Sequence, residues 1–178
     1  MSYIQSFKQK FPDKVTPEMV ETYHGGKFKI KEFSFNSMLG NAEEVSGILF
    51  FTNENSARKK GPYVTKAMLK LNRLVSTVGP PRRDDIIYML KNAPRKEELL
   101  PDFDKNEREA FFKATDHIMK GGTAYNCYRI LSEEFYKGDE SEFAKNMVKI
   151  RYDGVTLLRN GEQTYIVFNP ESIQIVKQ

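Results

Sequence analysis

Cysteine is nearly missing from this chain. Cys127 is the only one, which excludes an internal disulfide and any metal site built from cysteines alone. Long apolar runs are missing too: the longest, Ile48-Leu49-Phe50-Phe51, falls far short of the ~20 residues that a membrane-spanning helix needs. Histidine occurs only as His24 and His117, without metal-ligand spacing, so no metal is expected. Neither a Walker phosphate loop nor a Gly-x-Gly-x-x-Gly occurs. The opening Met1-Ser2-Tyr3-Ile4-Gln5 is soon interrupted by lysines rather than extended into the apolar stretch of a signal sequence. No repeat, low-complexity tract or linker divides the sequence. With 178 residues, 39% hydrophobic and 29% charged, the expectation is one soluble cytoplasmic domain over residues 1–178, neither disordered nor inserted in a membrane.

Charge is present in both signs: 28 Lys and Arg against 24 Asp and Glu give +4. Nucleic-acid binders gather their positive charge into a patch or stripe. The densest clusters along the chain, Arg58-Lys59-Lys60 and Arg82-Arg83, are short, and solvated faces account for them.

The periodicity predicts strands at both ends and helices between, an α+β chain. Tyr3, Ile4, Phe7 and Phe11 fall at helical spacing up to Pro12, and Thr16-Pro17 reads as the start of a second helix carrying Met19, Val20 and Tyr23. Phe28, Ile30, Phe33 and Phe35 suggest extended chain. Residues 47–52 read as a buried strand, Asn53 or Asn55 as the cap of a helix over Ser56 to Lys60, and Tyr63 to Leu71 as a half-buried strand with Lys66 and Lys70 outward. Helical patterns cover about Arg83 to Lys91, Lys105 to Met119, Ala124 to Tyr136 and Ser141 to Lys149. Asn160-Gly161 marks a two-residue hairpin turn that sets Arg159 opposite Glu162 and Leu157 opposite Thr164. Ile173 and Ile175 form a short last strand.

Ordinary catalytic constellations are scarce. Cys127, with no well-placed histidine, reads as a structural thiol. His24-Gly25-Gly26 is a glycine-flanked turn whose histidine could donate to a ribose hydroxyl while the glycine backbone approaches a small ligand.

Four segments taken in order resemble the ADP-ribosyltransferase fold, in particular the small transferase-like domains of phage polyvalent and head-associated proteins. Tyr23-His24-Gly25-Gly26 resembles the family's Tyr-His-Gly-Thr entry motif. Gly47-Ile48-Leu49-Phe50-Phe51-Thr52, with Ala57 and Gly61 after it, resembles its Gly-x-x-Phe-Thr strand and following helix. Tyr63 to Leu71 matches the next strand. Tyr152-Asp153-Gly154-Val155 and Tyr165-Ile166-Val167-Phe168-Asn169-Pro170-Glu171-Ser172-Ile173 resemble the closing pair of motifs.

The resemblance implies split β-sheets with a helical insert at about residues 80–149. It also implies NAD+ as substrate and ADP-ribose transfer to a macromolecular acceptor, protein or nucleic acid, in the host cytoplasm if the chain is phage-encoded. The cofactor-binding residues it implies are His24, Gly25, Phe50 or Phe51, Thr52, and Lys60, where the family usually has a tyrosine. The family's glutamate, which supports the oxocarbenium ion formed as nicotinamide leaves, falls at Thr164, leaving Glu162, two residues earlier on the same strand face, to share the catalytic role with it. Loss of that glutamate favours mono-transfer over chain building. The rival expectation is an inactive transferase-fold module that binds protein or nucleic acid. A third, by family analogy, is a toxin-like or anti-defence factor acting on host nucleic acid.

Overall fold

A computed structural model describes residues 18–41, 44–100 and 105–176. Its strands are β1 (Glu18–Gly26), β2 (Leu39–Asn41), β3 (Glu44–Phe51), β4 (Tyr63–Leu71), β5 (Gly154–Arg159), β6 (Glu162–Val167) and β7 (Ile173–Ile175). They form one sheet in the order β5-β6-β3-β1-β4-β7, with β2 paired beside β3, and every paired strand runs antiparallel. A short helix, α1 (Glu54–Arg58), links β3 to β4. Among the described residues the other α-helices lie between β4 and β5: α2 (Arg83–Lys91), α3 (Lys96–Leu99), α4 (Glu107–Met119), α5 (Ala124–Ile130) and α6 (Glu140–Lys149). This is an α+β chain, as expected, and the helical patterns expected between residues 83 and 149 are occupied by α2 and α4 to α6.

The first strand corrects the sequence reading. Residues 18–26 do not continue a helix from Thr16-Pro17; they pair with β4 at nine successive positions, from Glu18 opposite Leu71 to Gly26 opposite Tyr63. Strand alternation turns Thr22 and His24 to one face and Glu21 and Tyr23 to the other. Thr22 is fully buried, and its hydroxyl donates to the Ala67 carbonyl at 3.1 Å, so a polar residue occupies a core position at little cost. That buried threonine hid the two-residue period, and the spacing of Met19, Val20 and Tyr23 imitated a helix. The helix expected over Tyr3 to Phe11 and the Thr16-Pro17 start itself lie outside the described residues. The stretch from Phe28 to Phe35 is largely irregular and ends in a 3-10 turn at Phe35–Ser37, with Phe33 buried.

At the other end the expectations hold. Asn160 and Gly161 both take positive φ, 49° and 78°, which matches the right-handed twist of the flanking strands. Arg159 stands opposite Glu162 and Leu157 opposite Thr164. Side chains part company with backbone register there: Arg159 pairs with Glu44 of β3, and Glu162 turns toward α1.

Helices α5 and α6 pack on β3. Ile48 and Phe50 from β3 and Phe168 just after β6 meet Ile86, Met89, Leu90 and Phe143 in a continuous core, each such side chain contributing roughly 1.5–3 kcal/mol on burial. The helix expected to run unbroken to Tyr136 instead widens to a π-turn over Leu131–Phe135. Within it Ser132 meets β3, its Oγ accepting from the Ser46 amide at 3.0 Å and lying 2.6 Å from the Ser46 hydroxyl. Cys127 is buried, its thiol 3.2 Å from the Ile118 carbonyl; burial pushes the thiol pKa up, against a role as nucleophile.

Helix α1 sits on the opposite face, against β1, β3 and β4, and two glycines set how closely. A Cβ on Gly25 would lie 1.8 Å from the Ala57 carbonyl oxygen, and one on Gly61 2.2 Å from that of Gly26. Both obstacles are backbone and neither can swing aside. Gly25→Ala is therefore expected to destabilise the fold by about 1–3 kcal/mol, the usual cost of overpacking. The urea midpoint is the measurement, with Gly79→Ala, which meets only the Ser76 side chain at 3.3 Å, expected to change it little.

Candidate functional site

Strands β1 and β3 meet at one register position, Tyr23 opposite Phe51. Past it, toward the end of β1, His24 bridges the gap with its side chain: Nδ1 lies 2.8 Å from the Leu49 carbonyl oxygen. A carbonyl only accepts, so Nδ1 carries the proton, and in the neutral ring Nε2 is an acceptor. The donation to a ribose hydroxyl expected of His24 is thereby reversed, and a hydroxyl at this position would donate to Nε2. An edge contact with Phe33 at 5.3 Å and a tilted one with Phe50 at 5.6 Å between ring centres pack the imidazole. Burial holds its pKa below the ordinary histidine value, so the neutral form is favoured.

Register sorts the remaining candidates by face, because directly opposed residues point the same way. Tyr23, Phe51 and Thr164 form one row across three strands, and Phe50 and Tyr165 lie in the next. His24 and Phe50 accordingly face the core helices, whereas Phe51, Thr164 and Glu162 face α1. Phe50 is fully buried and its ring is covered by His24 and Phe33, so of the two phenylalanines only Phe51 lies on the Glu162 side.

That side is organised by the N-terminus of α1. Asn53 caps it, its Oδ1 accepting from the Asn55 amide at 2.8 Å, which settles the choice between Asn53 and Asn55. Glu162 completes the cap from across the sheet: Oε1 accepts from the Asn53 amide at 2.9 Å and Oε2 from the Ser56 hydroxyl at 2.5 Å. A carboxylate at a helix N-terminus is favoured by the free amides and the dipole together. Thr52 donates from Oγ1 to the Gln163 carbonyl at 3.1 Å. Thr164 is buried at 2% exposure and donates to the Leu157 carbonyl at 3.3 Å. Gly25 meets Ala57 as described above, and exposed Lys60 follows the helix, its amide bonded to the Ala57 carbonyl at 2.9 Å.

The fold thus brings Glu162, Thr164, Phe51, Thr52 and Gly25 around α1 and sets His24 and Phe50 on the other side of the sheet. Two residues without any mark in the sequence matter here. Ser56 orients the carboxylate, and Phe33 holds the imidazole. Neither contact has a local signal, since the Ser56–Glu162 bond spans 106 positions. On the α1 face a cavity of about 570 Å³ opens beside the helix, lined by Tyr23, Lys29, Glu54, Arg58, Tyr63 and Lys66 among others. Among the described residues no group of three or more His, Cys, Asp or Glu is placed to hold a metal ion, and no helix is long and apolar enough to cross a membrane.

No family model matches the chain, and no curated protein matches it. One solved structure is similar in outline, described as the crystal structure of an anti-CRISPR protein: it is 14% identical, the match covers 89% of this chain and 96% of that one, and the TM-score is 0.41. A likeness that slight carries neither a family nor a function across.

Proposed function

We propose that this chain is an NAD+-dependent mono-ADP-ribosyltransferase-like protein with a protein or nucleic-acid acceptor. The observation that carries the reading is the fixed carboxylate of Glu162, two residues before Thr164, held by the Asn53 amide and the Ser56 hydroxyl. The strands form one sheet, whose narrowest junction, a single register position between β1 and β3, lies beside His24. In this chemistry the bond between the ribose anomeric carbon and nicotinamide breaks and its electron pair leaves with nicotinamide. The acceptor's nucleophile then bonds to the same carbon and gives up a proton. A carboxylate already oriented by two donors stabilises the positive charge on the ribose without reorganising when that charge develops. Thr52 and Lys60 would contact the remainder of the dinucleotide on the α1 face, while His24, on the other side of the sheet, would support the strand junction from behind rather than touch the ribose.

A second reading, a transferase-fold module that binds without turnover, is favoured by Thr164, whose hydroxyl is spent on the Leu157 carbonyl, and by Lys60 where the resemblance calls for an aromatic ring. One experiment separates the two. Purified protein is incubated with labelled NAD+ and a cell lysate beside Glu162→Gln and His24→Ala. Transfer by the parent that falls 100-fold or more in Glu162→Gln, the scale of losing an electrostatic stabiliser, supports the enzyme. Calorimetry should find NAD+ binding intact in that variant and little changed in His24→Ala, whose side chain lies on the other face of the sheet. A parent that neither transfers label nor releases nicotinamide supports the binding module.

The burial of His24 against Phe33 and Phe50, with Nδ1 bonded to the Leu49 carbonyl, favours a neutral ring. Its folded pKa is depressed below the unfolded value of about 6.5 by burial. Stability from this residue is thus complete above about pH 6.5 and declines as the pH falls further, where the unfolded chain takes up a proton that the folded one resists. Urea midpoints measured from pH 7.5 to 5 should fall more steeply for the parent than for His24→Gln; parallel curves would contradict a neutral, buried imidazole.

A further inference from the structure

Two short basic runs that are remote in sequence come together in the fold. Gly26 packs against Gly61 at a separation that leaves no room for a Cβ. This close approach, with Lys29 and Arg58 lining one cavity, places Lys27-Phe28-Lys29-Ile30-Lys31, just after β1, beside Arg58-Lys59-Lys60, at the end of α1. Lys27, Lys29, Lys31, Lys59 and Lys60 are all exposed, and among the described residues no carboxylate is paired with any of them. Arg58 and Lys66, at the edge of the same region, are balanced by Glu54 and Glu21. Aromatic rings stand among these charges: Phe28 is 78% and Tyr63 50% exposed. Tyr63 lines the 570 Å³ cavity with Tyr23, Lys29, Arg58 and Lys66.

We propose that this surface binds single-stranded nucleic acid. Unpaired cations track a phosphate backbone, and exposed rings beside a cavity offer unstacked bases a platform and a recess, the combination by which single strands are held. A duplex keeps its bases stacked and would use the lysines alone. An acidic protein segment would have no need of the rings. The surface adjoins the Gly25 turn and the end of α1, so under the proposed transferase reading it supplies the acceptor, and only that assignment rests on the reading.

Binding is tested without NAD+, so its failure is distinct from a failure of transfer. Fluorescence anisotropy would follow a labelled 20-nucleotide oligothymidylate across a range of salt concentrations. The Lys27→Glu, Lys29→Glu double variant should weaken binding at least 10-fold at low salt. It should also reduce the slope of log affinity against log salt by about 1.4, at about 0.7 for each phosphate no longer neutralised. Tyr63→Ala should weaken binding about 5-fold or more, within the range for removing a stacked base, and leave the slope unchanged. Three results would each overturn the proposal: an equal loss in the Lys120→Glu, Lys137→Glu double variant, which makes the same charge change at exposed sites on the helical region; equal affinity for a duplex of the same length; or equal competition by polyglutamate or anionic phospholipid vesicles.

Discussion

A sheet that opens between two of its strands exposes backbone carbonyls with no neighbour to satisfy them, and a buried carbonyl without a partner costs free energy comparable to a broken hydrogen bond. Here β1 and β3 pair at a single position, and the imidazole of His24 takes up the next carbonyl, that of Leu49. Much of the local architecture follows from this one bond. It fixes the tautomer of the ring, sets the ring against Phe33 and Phe50, and leaves β3 free to share the rest of that edge with β2. The histidine therefore serves as structure.

The second constraint is the seating of α1. It is only five residues long, far too short to persist alone in water. Its stability is borrowed from outside: an asparagine cap, a glutamate from β6, and two glycine contacts with the end of β1. The same arrangement explains why Gly25 is a poor probe of ligand binding. A substitution there displaces the helix before any ligand arrives.

How far this could be read from the amino-acid order depends on whether the information is local. The Asn160-Gly161 hairpin was legible because the turn chemistry and the register it dictates lie within a few residues. The alternation of Tyr63 to Leu71 was legible because its inward positions are apolar or small, and the helices between β4 and β5 because their apolar stripes keep the 3.6-residue period. Strand β1 was not, since Thr22 and His24 hold inward positions and both are polar. The site divides along the same line. His24-Gly25-Gly26 and the Glu162–Thr164 pair stand out as residue types, but the side of the sheet each faces depends on pairing between distant strands. Ser56 and Phe33, which orient the two candidate groups, carry no local mark. The grouping of the lysines likewise depends on one glycine–glycine approach and is invisible to a count of charge along the chain.

The antiparallel pairing of β3 with β6 also has a meaning for biosynthesis. The bond from Glu162 to the Asn53 amide closes a loop of 109 positions, and β5 and β6 are the last long strands to leave the ribosome. Until they emerge, β3 presents one open edge and an uncovered run of Ile48, Leu49, Phe50 and Phe51. Such edges template unwanted association, and loops of this length close slowly relative to local helices. The helices between β4 and β5 are synthesised in that interval. By packing on β3 early they would cover one face of the strand while its final partner is still being made.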